Sequence, residues 1–232
     1  MKIQIAPGDV LSYLEMCGVE SAHLQRGMNF RLRGGLSVVL MSTQPGAPYS
    51  DEIQDGGRTL IYEGHNAQLC LGIKSDEIDQ PAYSPSGKLT ENGKFYRAVE
   101  RFKSGLEPPE LVKVYEKIRA GIWVYNGIFR LVDAWQAEIG LRKVWKFRLE
   151  LFDEAPEIAP RDEEIEHARL IPSPVKLEVW RRDAGVCAKC GRSENLHFDH
   201  ILPYSKGGTS LSAANIQLLC QSCNLQKSAK IE

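Results

Sequence analysis

Four cysteines near the carboxyl terminus have the spacing of a tetrahedral metal site. Cys187-x-x-Cys190 and Cys220-x-x-Cys223 form two knuckles that can present four thiolates to one ion, and Zn2+ is the natural occupant of such a sulfur tetrahedron. A C-x-x-C can also be a redox pair, but two pairs flanking a short loop-rich segment favour the structural metal. Around the second knuckle lies a set of a different chemical kind, in the strings DHILPYSKGG and NIQLLCQSCNLQK: Asp199, His200, Asn215, Asn224 and Lys227. An imidazole titrates close enough to neutrality to take a proton from water. Carboxylate and amide oxygens suit a hard ion such as Mg2+ or Mn2+, whereas thiolates suit zinc. One small segment is therefore expected to use two metals of different character.

In this order and spacing, residues 174–230 resemble the HNH nucleases, whose ββα-metal fold holds one catalytic divalent ion. The resemblance implies His200 as general base, Asp199 and Asn224 as ligands of the catalytic Mg2+ or Mn2+, and Asn215 as the brace of the loop carrying the base. Asn224 stands where the family has its final histidine. Hydrolysis of a phosphodiester needs a deprotonated water and a cation to neutralise charge developing on the leaving oxygen, and these residue types can supply both. Lys206, Lys227 and Lys230 are expected to contact phosphates. His197 is expected to support the strand that carries His200.

A nuclease module needs something to choose its site. In the first 152 residues, the stretch APYSDEIQDGGRTLIYEGH carries Tyr49, Asp51, Glu52 and Tyr62 around an acidic-glycine turn, followed later by WVYNGIFRLVDAW and KVWKFRLEL. Together these resemble the SRA domain, also called the YDG domain, which binds modified cytosine in DNA. The resemblance implies that a flipped base stacks between Tyr49 and Tyr62 while a carboxylate, Asp51 or alternatively Glu52, accepts from its exocyclic amine. Such stacking and edge recognition offset the few kcal/mol that extrusion of a base costs. The family's Tyr-Asp-Gly is here Tyr125-Asn126-Gly127.

The elements that must position these residues follow from composition and pattern. With 232 residues, 43% hydrophobic and 25% charged, the chain can bury a real core, and neither disorder nor a fibrous architecture is indicated. No apolar run approaches a membrane span and the amino terminus lacks a signal-peptide pattern, so a cytoplasmic protein is expected. The net charge of −1 hides an uneven distribution. Residues 173–232 carry eight Lys/Arg against five Asp/Glu, while 153–172 carry two against seven, so an acidic linker masks a mildly basic carboxy-terminal module.

Runs at 36–42, 58–64, 121–135 and 143–151 predict strands, with Tyr125-Asn126-Gly127 as a hairpin turn. Helices are expected near Val10–Cys17, Lys94–Lys103 and, in the acidic segment, Asp162–Arg169. Ser173-Pro174 reads as an N-cap followed by Pro at the first position of the helix VKLEVWRRD. Cys17 and Cys70 read as small buried apolar side chains.

The fold class is thus α+β: a mainly β, SRA-like domain over 1–152, an acidic linker over 153–172 and a zinc-bound ββα-metal domain over 173–232. The expected partner is double-stranded DNA carrying 5-methylcytosine or 5-hydroxymethylcytosine, between which the sequence does not choose. A homodimer is expected, because one nuclease site cuts one strand at a time. Two other readings are a modified-DNA reader without nuclease activity and an HNH nuclease whose first domain mediates assembly.

Overall fold

The computed structural model describes residues 5–66, 75, 77–152, 171–202 and 208–227. The expected linker and its short helix, Cys70, Lys206 and Lys230 lie outside them. The first part is built on one mixed sheet. Its strands are β1 (Val10–Ser12), β2 (Met28–Asn29), β3 (Ser37–Met41), β4 (Glu52–Gln54), β5 (Thr59–Glu63), β6 (Glu110–Arg119), β7 (Ile122–Ile139) and β8 (Arg142–Leu151). They lie in the order β2-β3-β6-β7-β8-β5-β4, with β1 paired to β7, and every pairing is antiparallel except β3 with β6.

Alternation explains the two packed faces. In β6, Val112 and Val114 join a core with Phe129, Leu131, Phe147 and Leu149, covered by Phe95, Ala98 and Val99 of α2 (Glu91–Lys103). Tyr115 turns to the opposite face, against Leu11, Met16, Cys17 and Tyr125, beneath α1 (Tyr13–Glu20). Both helices start at a side-chain cap: Ser12 accepts from the Glu15 amide and Thr90 from the Gly93 amide, which satisfies donors that a helix start leaves unpaired. The buried Cys17 matches its reading as a small apolar residue.

Tyr125-Asn126-Gly127 corrects the expectation of a hairpin turn. The segment lies inside the 18-residue β7. Val114 pairs with Gly127 and Tyr115 with Tyr125, so Asn126 is the extra residue of a β-bulge. Gly127 has φ +103°, a region that favours glycine in a bulge just as it does in a turn, and this shared signal is why the two readings are alike in sequence.

The second part contains α3 (Ser173–Arg182), β9 (Leu196–His200), β10 (Ile216–Cys220) and α4 (Gln221–Lys227). Strands β9 and β10 form an antiparallel pair, and α4 packs against both, giving the ββα arrangement. Helix α3 begins one residue earlier than the sequence suggests: Pro172 is the N-cap, Ser173 makes no capping bond and Pro174 is the second helical residue. The Lys176 amide already bonds to the Pro172 carbonyl at 3.0 Å.

The core around α3 belongs to both parts. Val175, Val179, Leu196, Phe198, Ile216 and Leu218 cluster with Ile118 of β6 and Val124 of β7, and Val10 and Ile122 pack against the same cluster. Among the described residues, no helix is long and apolar enough to cross a membrane.

Candidate active site and base pocket

The four knuckle cysteines converge: their sulfurs all lie within 4.8 Å of one another, with Cys190 Sγ and Cys220 Sγ 3.6 Å apart. Burial works against an anionic Cys187, yet the amides of Cys220, Cys190 and Lys189 outweigh it and hold that thiol down to about 6. Cys223 is pushed up to about 12 by its contacts with the Cys190 and Cys220 sulfurs. Four sulfurs this close cannot all be anionic without a cation among them, and all four could be ligands of one soft ion, so the donor set fits Zn2+.

Asp199 and His200 end β9, and Asn215 closes the 3-10 turn Ala213–Asn215 that leads into β10. Asn215 ties the chain after His200 by three side-chain bonds. Its Oδ1 accepts from the Leu202 amide at 2.8 Å, while Nδ2 donates to the carbonyls of Leu202 at 2.9 Å and Thr209 at 3.1 Å. The Ile201 amide adds a bond to the Asn215 carbonyl at 2.7 Å. Gly208 fits closely here, since a Cβ would lie 1.8 Å from the Leu202 carbonyl oxygen. His200 Nε2 lies 2.8 Å from Ser210 Oγ, which orients the ring.

Lys227, expected on phosphate, instead places its ammonium on the Asp199 carboxylate and the His200 carbonyl. The Asp199 carboxylate is thus already held by a cation. Asn224 lies on α4, which packs against β9. The Asp199 carboxylate and the His200 carbonyl, which converge on the Lys227 ammonium, are hard oxygen donors of the kind that suits Mg2+ or Mn2+. His197 Nδ1 lies 2.5 Å from Asp9 Oδ1, so this residue connects β9 to the amino-terminal segment.

In the first part, Tyr49 and Asp51 stand at one end of the sheet beside the carboxyl end of β5. Asp51 Oδ1 accepts from the Glu63 amide at 2.9 Å and Oδ2 from the Ser42 amide at 3.0 Å. Burial dominates over these bonds and raises its carboxyl to about 7. Glu52 is exposed on the edge strand β4.

Tyr62 is 1% exposed and part of the core. Its ring presents no face to a base in this conformation, and its hydroxyl points toward the Leu40 carbonyl at 3.5 Å. The ring facing Tyr49 is His65, stacked at 5.5 Å between centroids and 13° between planes. Burial lowers the His65 imidazole to about 4, so it is neutral near pH 7. This residue escaped the sequence reading, although it follows Tyr62 in YEGH.

A buried polar cluster lies beside Asp51, around Glu63. Glu63, nearly inaccessible, accepts from Lys146 Nζ at 3.0 Å and from the Ser50 amide at 3.1 Å, with Arg142 at 3.5 Å. Arg142 also donates to Asn66 Oδ1 at 2.6 Å.

Comparison with known proteins adds family information. Residues 187–230 match the HNH endonuclease family; the chain carries an HNH endonuclease domain with a possible four-cysteine metal site. The chain is 29% identical over 152 residues to the histone-lysine N-methyltransferase family member SUVH9 of Arabidopsis thaliana, a match covering 62% of this chain and 21% of that protein. The chain thus spans about a fifth of the length of that relative. Among solved structures, the SUVH5 SRA–hemimethylated CG DNA complex is similar over 69% of this chain and 97% of that one, at 20% identity and a TM-score of 0.48. The modification-dependent TagI restriction endonuclease is similar over 97% of this chain and 78% of that one, at 17% identity and a TM-score of 0.42.

Proposed function

We propose that this HNH endonuclease domain cuts DNA near a modified cytosine that the first 152 residues read. The observation that carries the reading is one chain holding both the HNH match, with Asp199, His200 and Asn215 gathered on one hairpin, and a separate cluster of a tyrosine, an imidazole and a carboxylate. Domain limits of 1–152 and 173–232, with an acidic linker between, accompany this proposal.

In the cutting step His200 takes the proton of the attacking water, and Asn215 keeps the following loop in the shape that aims the ring. Asp199 and Asn224 would hold the divalent ion, which when bound supplies positive charge for the developing phosphorane and leaving oxygen. In the reading step a base leaves the duplex and stacks on Tyr49, and Asp51 accepts from its N4 amine. Each Asp51 oxygen already takes one backbone N–H but retains a second lone pair. Tyr62 closes the pocket from the core side and His65 moves with, or lies beside, the incoming base. Cutting both strands takes two protomers or two encounters, and we propose a homodimer.

The test offers the protein matched duplexes carrying cytosine, 5-methylcytosine or 5-hydroxymethylcytosine with Mg2+ or Mn2+. Cleavage confined to modified duplexes is expected; equal cleavage of all three would refute the reading.

Tyr49→Ala should remove the preference for modified DNA, because a base on an aromatic ring contributes about 1 to 3 kcal/mol, one to two orders of magnitude in affinity. Binding through phosphates should survive, since those contacts carry no sequence information. Tyr62→Phe should retain the preference and Tyr62→Ala should instead lower the melting temperature, as expected of a core aromatic. Unchanged preference in Tyr49→Ala, measured at fixed salt, would move the pocket elsewhere.

Asp51 gives the pocket a pH signature. Its folded carboxyl is raised to about 7, so the free protein binds an extra proton and loses stability as pH rises from the ordinary carboxylate range through about 7. Reading by the ionised form has the opposite slope: preference for modified DNA should fall roughly tenfold at one unit below that value. Asp51→Asn should flatten both curves, checked by thermal melts and by binding between pH 5 and 8.

A further inference from the structure

The junction of the two parts contains a buried polar triad that neither cutting nor reading uses. Lys176, in the first turn of α3, is 2% exposed in its side chain and Glu116, on β6, 1%. Lys176 Nζ donates to Glu116 Oε2 at 2.6 Å and to Asn126 Oδ1 at 2.7 Å, and Asn126 Nδ2 donates to Glu116 Oε2 at 3.0 Å. Asn126 is the bulged residue of β7, so the bulge aims this amide at the nuclease helix. An aspartate at 126 would set a second carboxylate beside Glu116 against one ammonium; the amide bonds both partners instead.

A second connection runs through backbone. Residues Gly8 and Asp9 lie between β7 and β9. Gly8 N donates to the Tyr125 carbonyl at 2.8 Å and Tyr125 N to the Asp9 carbonyl at 3.0 Å, while the Phe198 amide donates to the Gly8 carbonyl at 3.2 Å. Asp9 also bridges to His197. The strand carrying Asp199 and His200 is thereby hydrogen-bonded, through two residues, to the neighbour of Asn126.

We propose that this triad, with the Gly8–Asp9 segment, fixes the position of the nuclease hairpin on the reading sheet and so sets a constant distance from the modified base to the cut phosphate. The inference rests on the reading given under Proposed function. Lys176, Glu116 and Asn126 are positioning residues: none touches the reacting atoms. A buried ion pair adds little net stability over apolar side chains of the same volume, because desolvation offsets the attraction. Its directional bonds admit one arrangement, whereas the surrounding apolar contacts of Ile118, Val124 and Val175 tolerate sliding. The triad therefore specifies register rather than strength.

The test maps cut positions on a long duplex bearing one modified cytosine. Wild type is expected to cut within one or two phosphates of a single distance. Replacing the triad by apolar residues in Lys176→Met/Glu116→Leu/Asn126→Leu should keep the melting temperature and methyl preference but spread the cuts over several neighbouring phosphates. Inserting six Gly/Ser residues within 153–170 should leave the wild-type distance unchanged. An unspread pattern in the triple variant, or a distance that follows the insertion, would overturn the inference.

Should the triple variant not fold, Asn126→Ala removes one of the two Lys176 bonds without stranding a charge, and the same broadening is expected of it. Hydrogen exchange without DNA supplies an independent arm: amides of 122–127 and 196–200 should exchange faster together in the variants. Loss of modification dependence in wild type would refute the proposed reading, whereas unchanged exchange would refute the positioning role.

Discussion

Replacing His200 by alanine is expected to lower strand cleavage about 10^2 to 10^4-fold, the usual contribution of a positioned general base. Binding of modified duplex should hardly change, because in the proposed mechanism the imidazole acts on water and adds little ground-state affinity. The surrounding bonds make the variant a clean one. The Asn215 side chain bonds Leu202 and Thr209 directly, so these two residues should keep their places when the ring is gone. Ser210, which touches His200 Nε2, offers a graded control: Ser210→Ala should slow cleavage by a smaller factor, since it removes one bond to the ring and leaves the ring in place. Single-turnover rates under Mg2+ and Mn2+ are the measurement. A His200→Ala protein that cuts at the wild-type rate would move the base to another residue.

Removal of the knuckle metal should have the larger effect on folding. Structural zinc contributes on the order of 10 kcal/mol to small domains that depend on it, comparable to the whole stability of an ordinary domain. Cys187→Ser, or a strong chelator, should therefore unfold the β9–β10 hairpin and α4 and abolish cleavage. The first sheet has its own core of Val112, Val114, Phe129 and Phe147 and should persist, giving partial loss of circular dichroism and, on the proposed reading, continued binding to modified DNA. Elemental analysis should find one zinc per chain in active protein. Folded, active, zinc-free protein would refute the assignment.

The nuclease centre was legible in sequence because its chemistry is local. Two C-x-x-C pairs, Asp-His and a later Asn occupy short segments whose spacing is itself the geometry, and the sulfurs do converge. The strands β3, β5 and β8 and the helix α2 were legible from period and composition. Strand β6 was not singled out: ELVKVYEKIR mixes apolar and charged residues without strict alternation, and its buried Glu116 is paired to a lysine 60 residues away, a partner no local pattern reveals. The same distance hid the role of Asn126. His65 was missed because an imidazole after Tyr-Glu-Gly has no distinctive spacing, and only its stacking on Tyr49 gives it significance. Tyr62 was visible as an aromatic of β5, but strand alternation alone does not separate a ring that faces outward from one buried in the core.

The core that Ile118 and Val124 share with α3 and the β9–β10 hairpin bears on the order in which the chain matures. Residues leave the ribosome from the amino end and domains fold in that order as a rule, so the sheet is expected to offer Ile118 and Val124 as a surface on which the later hairpin closes. A graft of residues 173–232 onto a foreign domain would separate Val175, Phe198 and Ile216 from the Ile118 and Val124 with which they share a core. A working transplant must carry Ile118 of β6 and Val124 of β7 along, which sets the boundary for chimaeric proteins well inside the first sheet.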